Sequence, residues 1–157
     1  MPRQYRGFTL VELLITVVLI SIVAVMAVPN FRDAIQKSRA DTEVSDLQRA
    51  LNYARLEAIT RGVGISVKPV TANAAWTTQL NVVVTSDSTV LRVVPAMSDG
   101  AVLDIPSSVT TLNFNNLGGL IAPASALTIT YTRSNITRTL AICLNGRIVF
   151  NGACNAT

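Results

Sequence analysis

Glu12 is the residue whose surroundings make its chemistry unusual. It heads a run, Leu13 to Phe31, that holds no charged residue over 19 positions. About 20 apolar residues of helix cross a bilayer core. A lone carboxylate beside hydrocarbon costs a few kcal/mol unless it finds a partner, so Glu12 marks a functional position. Little else in the chain is arranged for chemistry. There is no histidine, which excludes a histidine-based metal site or a Ser-His-Asp triad. No phosphate-binding loop, nucleophile elbow or paired cysteine ligands occur. Asp87, Asp99 and Asp104 are the acids available to a cation, but turn chemistry accounts for the first two. These absences argue against an enzyme and imply no metal and no cofactor.

The elements that position Glu12 follow from charge and periodicity. Arg3 and Arg6 precede the apolar run, so the positive-inside rule keeps that end cytoplasmic. A secretory signal would end in a small-residue cleavage site. Here Pro29 is followed by Asn30-Phe31-Arg32-Asp33 and further helical periodicity, which predicts that the apolar helix is retained. Apolar positions recur at Phe31, Ala34, Ile35, Val44, Leu47, Leu51, Ala54 and Ala58, a stripe at helical spacing. Glu57 and Arg61 stand at i, i+4 in the favourable order, and Gly62 and Gly64 end the helix. Pro29 removes one internal hydrogen bond and predicts a kink.

The N-terminal stretch Arg6-Gly7-Phe8-Thr9-Leu10-Val11-Glu12-Leu13 resembles the class III signal of type IV pilins and pseudopilins. The resemblance implies a basic leader, Met1 to Gly7, cut between Gly7 and Phe8 by a membrane prepilin peptidase. It implies N-methylation of Phe8 and an assembly role for Glu12. Glu12 would pair with the Phe8 amine of a neighbouring subunit, which neutralises both charges in lipid and favours one stagger. Pro29 and Phe31 also match the family pattern. The formal net charge of +4 falls to +2 without Arg3 and Arg6, which neither demands nor excludes a polyanionic partner.

Beyond Gly64 the period changes to that of short strands. Candidates are Ile65–Val70, Leu80–Thr85, Thr89–Val94, Thr111–Phe114, Leu127–Arg133, Arg138–Leu144 and Arg147–Phe150. Ser86-Asp87-Ser88 and Asp99-Gly100 are turn signals, and Asn145-Gly146 between two apolar runs is the strongest hairpin signal. Leu51 to Gly62, with Ala54-Arg55-Leu56-Glu57-Ala58-Ile59, resembles the helix end of the GspH/FimT subgroup of pseudopilins and minor pilins. Gly118 to Pro123 and the closing Asn-Gly hairpin are similar to that subgroup as well.

The two cysteines, Cys143 and Cys154, fall in the part of the chain expected outside the cytoplasm, where disulfides persist. They are expected to bond and to staple the tail to the last hairpin. Some FimT-type minor pilins capture DNA through a C-terminal Gly-Arg-x-Arg motif. The equivalent here is Gly146-Arg147-Ile148-Val149, with valine in place of the second arginine. Pairing of the last strands would bring Arg133, Arg138 and Arg147 together as phosphate contacts, or leave them as solvated strand residues.

The expected fold is α+β and pilin-like, a long N-terminal helix packed on antiparallel sheet. Residues 1–7 form the leader, 8–29 the transmembrane and assembly helix, 30–62 its amphipathic half, and 63–157 the β-rich domain. The expected function is that of a structural minor pilin, made in the bacterial inner membrane and moved to the pilus. It would prime assembly near the tip and support twitching motility or adhesion. Its partners would be other major and minor pilins or pseudopilins, the prepilin peptidase/methyltransferase and inner-membrane lipid. The alternatives are a GspH-like pseudopilin of a type II secretion system and a DNA-binding component of an uptake pilus.

Overall fold

The computed structural model describes residues 7–106 and 108–154, with side chains for all of these except 26–30. Of the expected leader, Met1–Gly7, all but Gly7 lies outside the described residues. Among the described residues, helix α1 spans Leu10–Arg61 and is followed by nine strands. The chain divides into two compact units, between Gln36 and Lys37. From Leu10 on, the first unit is helix. Its apolar side chains from Phe8 to Val25 are exposed, Phe8 by 72% and Leu10 by 80%. Thr16 and Ser21 return their hydroxyls to the carbonyls of Leu13 and Val17, both at 2.8 Å. This satisfies two polar groups within the helix itself. Among the described residues, no helix is long and apolar enough to cross a membrane. Leu13–Val25 rises about 20 Å, against roughly 30 Å of hydrocarbon core. Residues 26–30 complete the apolar run in sequence but have no described side chains.

In the second unit the helix packs on β-structure. Ala40, Val44, Leu47, Ala50, Leu51, Ala54 and Ala58 are buried, at the three- and four-residue spacing of one helical face. The stripe is narrower than expected at its start, because Phe31 is 68% exposed and Ala34 is exposed too. Small alanines at 40, 50, 54 and 58 let the helix backbone approach the strands closely.

The strands form two antiparallel sheets. The first has five strands in the order β3-β2-β1-β5-β6, and the second has four in the order β4-β7-β8-β9. β1 (Ile65–Pro69), β2 (Leu80–Val84), β3 (Val90–Val94), β5 (Leu112–Phe114) and β6 (Leu120–Ala122) build the first; β4 (Ala101–Asp104), β7 (Leu127–Arg133), β8 (Ile136–Ile142) and β9 (Ile148–Phe150) the second. The inward faces of both join one core with Leu47, Leu51, Ala54 and Ala58, including Val67, Leu80, Phe114, Ile129, Leu140 and Ile142. β7 runs where the alternation puts it. β8 begins two residues earlier than expected, because Ser134 at φ +54° turns the chain within two residues and Ile136 pairs with Arg133. β4 and β6 were not expected. Each has only three or four residues, and its pairing is supplied by β7 or β5 rather than by a sequence pattern of its own.

The last hairpin is built differently from a two-residue turn. The Gly146 N–H donates to the Cys143 carbonyl at 2.8 Å and the Cys143 N–H to that of Arg147 at 2.9 Å. Gly146 alone has positive φ, +76°. This is a type I turn closed by a left-handed glycine bulge. Cys143 and Cys154 form a disulfide across 11 residues of sequence, as expected. Replacing both with serine should lower stability by about 3 kcal/mol in the chain-entropy account. Urea unfolding of oxidised wild type against the double variant measures this, and equal midpoints would contradict it.

Candidate functional site

Thr9 precedes the first helical residue, and the Glu12 N–H donates to its Oγ1 at 3.3 Å. Thr9-Leu10-Val11-Glu12 thus has the order of a capping box, with threonine at the cap and glutamate three residues on. This contribution of Thr9 was not anticipated, although the Thr-x-x-Glu spacing carries the signal. Glu12 lies in the first helical turn, where the helix dipole favours a carboxylate. Its side chain is exposed and finds no partner among the described residues. Gly7 and Phe8 lie before the helix, in backbone without regular structure.

A second cluster, in the β-rich unit, was not anticipated at all. The Glu43 carboxylate accepts from the Ser98 N–H at 3.0 Å, from the Ser98 hydroxyl, and from the Tyr131 hydroxyl at 2.6 Å. Arg133 Nη1 stands 3.5 Å from Glu43 and donates to Ser98 Oγ at 2.8 Å, while Nη2 donates to the Asp99 carbonyl at 2.8 Å. The Arg133 side chain is only 4% exposed and that of Glu43 14%. Burial alone would raise the Glu43 carboxyl. The hydrogen bonds from Ser98 and Tyr131 and the Arg133 charge outweigh it and hold the group below its ordinary value. Burial and the bond to Glu43 push the Tyr131 hydroxyl up. The cluster ties the helix, the loop after β3 and strand β7 together, and its donors and acceptors are matched, as a buried polar network requires.

Of the three arginines expected as phosphate contacts, Arg133 and Arg138 are diagonal neighbours across β7 and β8, but both guanidiniums are engaged within the protein. Arg133 is buried in this network and presents no free guanidinium edge to a polyanion. Arg138 donates to Asp41 at 2.9 Å and to the Thr137 carbonyl. Arg147 is exposed at the last turn, opposite Cys143, which lies five residues beyond Arg138 and so about 17 Å away at strand rise.

A third junction joins three stretches distant in sequence. Arg55 Nε donates to the Gly118 carbonyl at 3.2 Å. A Cβ on Gly146 would lie 1.7 Å from that same carbonyl oxygen and 2.9 Å from Arg55 Nε. The turn before β6 and the last hairpin therefore meet backbone to backbone, and the end of the helix joins them through the Arg55 side chain. These are the stretches around Arg55, Gly118 and Asn145-Gly146 singled out above.

The same region, residues 43–147, matches the family described as type II transport protein GspH. The chain belongs to the GspH family. Ahead of the GspH region, residues 2–28 match the prokaryotic N-terminal methylation motif. Two curated fimbrial proteins of Pseudomonas aeruginosa are each 43% identical over 58 residues, 35% of this chain. The chain spans 38% of the length of those relatives. Two crystal structures of the P. aeruginosa type IV minor pilin FimU are similar in fold. One has a TM-score of 0.60 at 23% identity, covering 77% of this chain and 91% of FimU. The other has 0.56 at 24%, covering 74% and 92%. The α+β pilin fold expected from sequence is thus the fold observed, and the methylation-motif match runs into the helix that begins at Leu10.

Proposed function

We propose that this GspH-family chain is a minor pilin of a type IV pilus, whose work is assembly rather than catalysis. The observation that supports it best is a methylation motif on a helix whose apolar side chains are exposed from Phe8 to Val25. So large an apolar surface needs lipid or neighbouring subunits to cover it. In this reading residues 1–7 are a leader removed between Gly7 and Phe8, and Phe8 is then methylated. Residues 8–29 anchor the subunit in the inner membrane and later pack in the fibre. Residues 30–62 carry the β-rich domain of 63–157 outside the cytoplasm. The subunit joins other pilins, primes assembly near the tip and so supports twitching motility or adhesion.

Glu12 then has a defined task. Before assembly it sits unpaired at the edge of hydrocarbon; in the fibre it meets the Phe8 amine of a neighbour. Glu12→Ala should cut incorporation into sheared pili by about tenfold or more, the scale of an unpaired charge in an apolar setting. The β-rich unit should stay folded. Immunoblots of sheared fibre against membrane fractions read this, and unchanged incorporation would refute the pairing.

The family's description favours a second reading, a pseudopilin of a type II secretion system with the same signal and assembly logic. A clean deletion with a complemented control separates the two. Loss of surface pili by electron microscopy, restored by complementation, supports the pilus reading. Normal pili with exoprotein retained in the periplasm supports the secretion reading. DNA capture has no comparable support, because Arg133 and Arg138 are engaged by Glu43, Ser98 and Asp41.

A further inference from the structure

The outer face of the five-stranded sheet carries a groove that the assembly reading leaves unused. Ile65 and Val67 of β1 point into the core, so Ser66 and Lys68 point the other way. Cross-strand register sets Ser66 beside Asn113 of β5 and Val83 of β2, and Lys68 beside Asn81. Thr111 and Thr85 lie on the same side. Ser66, Lys68, Thr85, Thr111 and Asn113, with Asn73 from the loop after β1, wall a groove of about 350 Å³. It shares Pro69, Asn73 and Thr110 with a neighbouring hollow of about 300 Å³ walled by Trp76 and Ile105. Both volumes fall within the range of small-molecule sites.

The groove's polar groups are held in place but not used up. Ser66 Oγ lies 2.8 Å from Thr85 Oγ1, and the Thr111 hydroxyl donates to Asn113 Oδ1 at 2.8 Å. That leaves the Asn113 amide nitrogen, the Asn73 amide and the Lys68 ammonium without partners among the described residues. β1 is hydrogen-bonded on both sides, to β2 and β5, so its backbone has nothing to offer an extended peptide by strand addition. Recognition here must go through hydroxyl, amide and ammonium side chains over threonine methyls and Pro69. That set matches a ligand with many hydroxyls, an apolar ring face and a carboxylate.

We propose that this groove binds an acidic oligosaccharide, with Lys68 holding a uronate carboxylate and Asn113 and Asn73 donating to ring hydroxyls. The site is independent of the assembly reading, since pilus counts would not report on it. The test is isothermal titration of the full chain in detergent micelles with tetragalacturonate, maltotetraose and a nonapeptide of alternating serine and valine. Tetragalacturonate should saturate with a Kd at or below about 1 mM, and maltotetraose should bind about tenfold more weakly. Lys68→Gln should weaken tetragalacturonate by about tenfold through loss of a charged hydrogen bond. Asn113→Ala, also outside the core, should weaken both sugars. Absence of saturation at about 10 mM tetragalacturonate, unchanged binding in both variants, equal binding of the two sugars, or binding of the peptide alone would each overturn the proposal.

Discussion

Gly146→Ala should destabilise the β-rich unit by about 3–4 kcal/mol, the largest effect expected of any single methyl group in this chain. Two costs add. A non-glycine residue at φ +76° pays about 1–2 kcal/mol of backbone strain. The added Cβ would also stand 1.7 Å from the Gly118 carbonyl oxygen, and backbone cannot rotate aside as a side chain does. The hairpin must lift away from the turn, which also disturbs the Arg55 hydrogen bond to Gly118; misfits of this kind in packed regions cost a further 1–3 kcal/mol or so. Gly118→Ala is the natural comparison. It has similar φ, +78°, but its Cβ would meet the flexible end of Ile59 at 2.6 Å, so about 2 kcal/mol is expected. Urea midpoints of the two variants check the order, and a Gly118 variant less stable than the Gly146 variant would contradict it.

Glu43→Ala should cost about 3 kcal/mol at neutral pH. It removes the acceptor of Tyr131 and Ser98 and the carboxylate facing Arg133, leaving a buried hydroxyl and a largely buried guanidinium short of a partner. Arg133 keeps Ser98 Oγ and the Asp99 carbonyl, which limits the loss. The same group gives a pH signature. Its folded carboxyl lies below the ordinary value, so the carboxylate is favoured by folding. The stabilisation is present above the unfolded glutamate value, about 4.3, and is lost as pH falls through the lower folded value. In Glu43→Gln this acid-side loss should disappear while neutral-pH stability drops. Denaturant midpoints between pH 7 and 3 measure both, and parallel acid limbs in wild type and Glu43→Gln would rule out the assignment.

What the chain discloses before folding depends on whether the signal is local. The helix end at Gly62, the strand over Leu127–Arg133 and the turn at Asn145-Gly146 rest on periodicity and turn chemistry within a few residues, and all are found. β4 and β6 exist only because longer strands lie beside them, so no window of their own reveals them. The role of Arg133 was within reach. Leu127, Ile129 and Tyr131 alternate inward, and the same alternation carries Arg133 to the buried side, where a charge needs a partner rather than a ligand. Glu43 was not within reach. It flanks the buried stripe one position before Val44, and its partners Ser98 and Tyr131 are 55 and 88 residues away.

The hydroxyls of Thr16 and Ser21 are turned back onto their own helix, and the consequence is mechanical. Between Thr9 and Val25 the side chains other than Glu12 are uncharged, so a neighbour meets apolar ridges and grooves there and no second charge. Glu12 is the sole ionisable side chain on that length. In the assembly proposed above it is the single tooth on a bearing surface: apolar packing holds two rods together, and this one position selects where they stop.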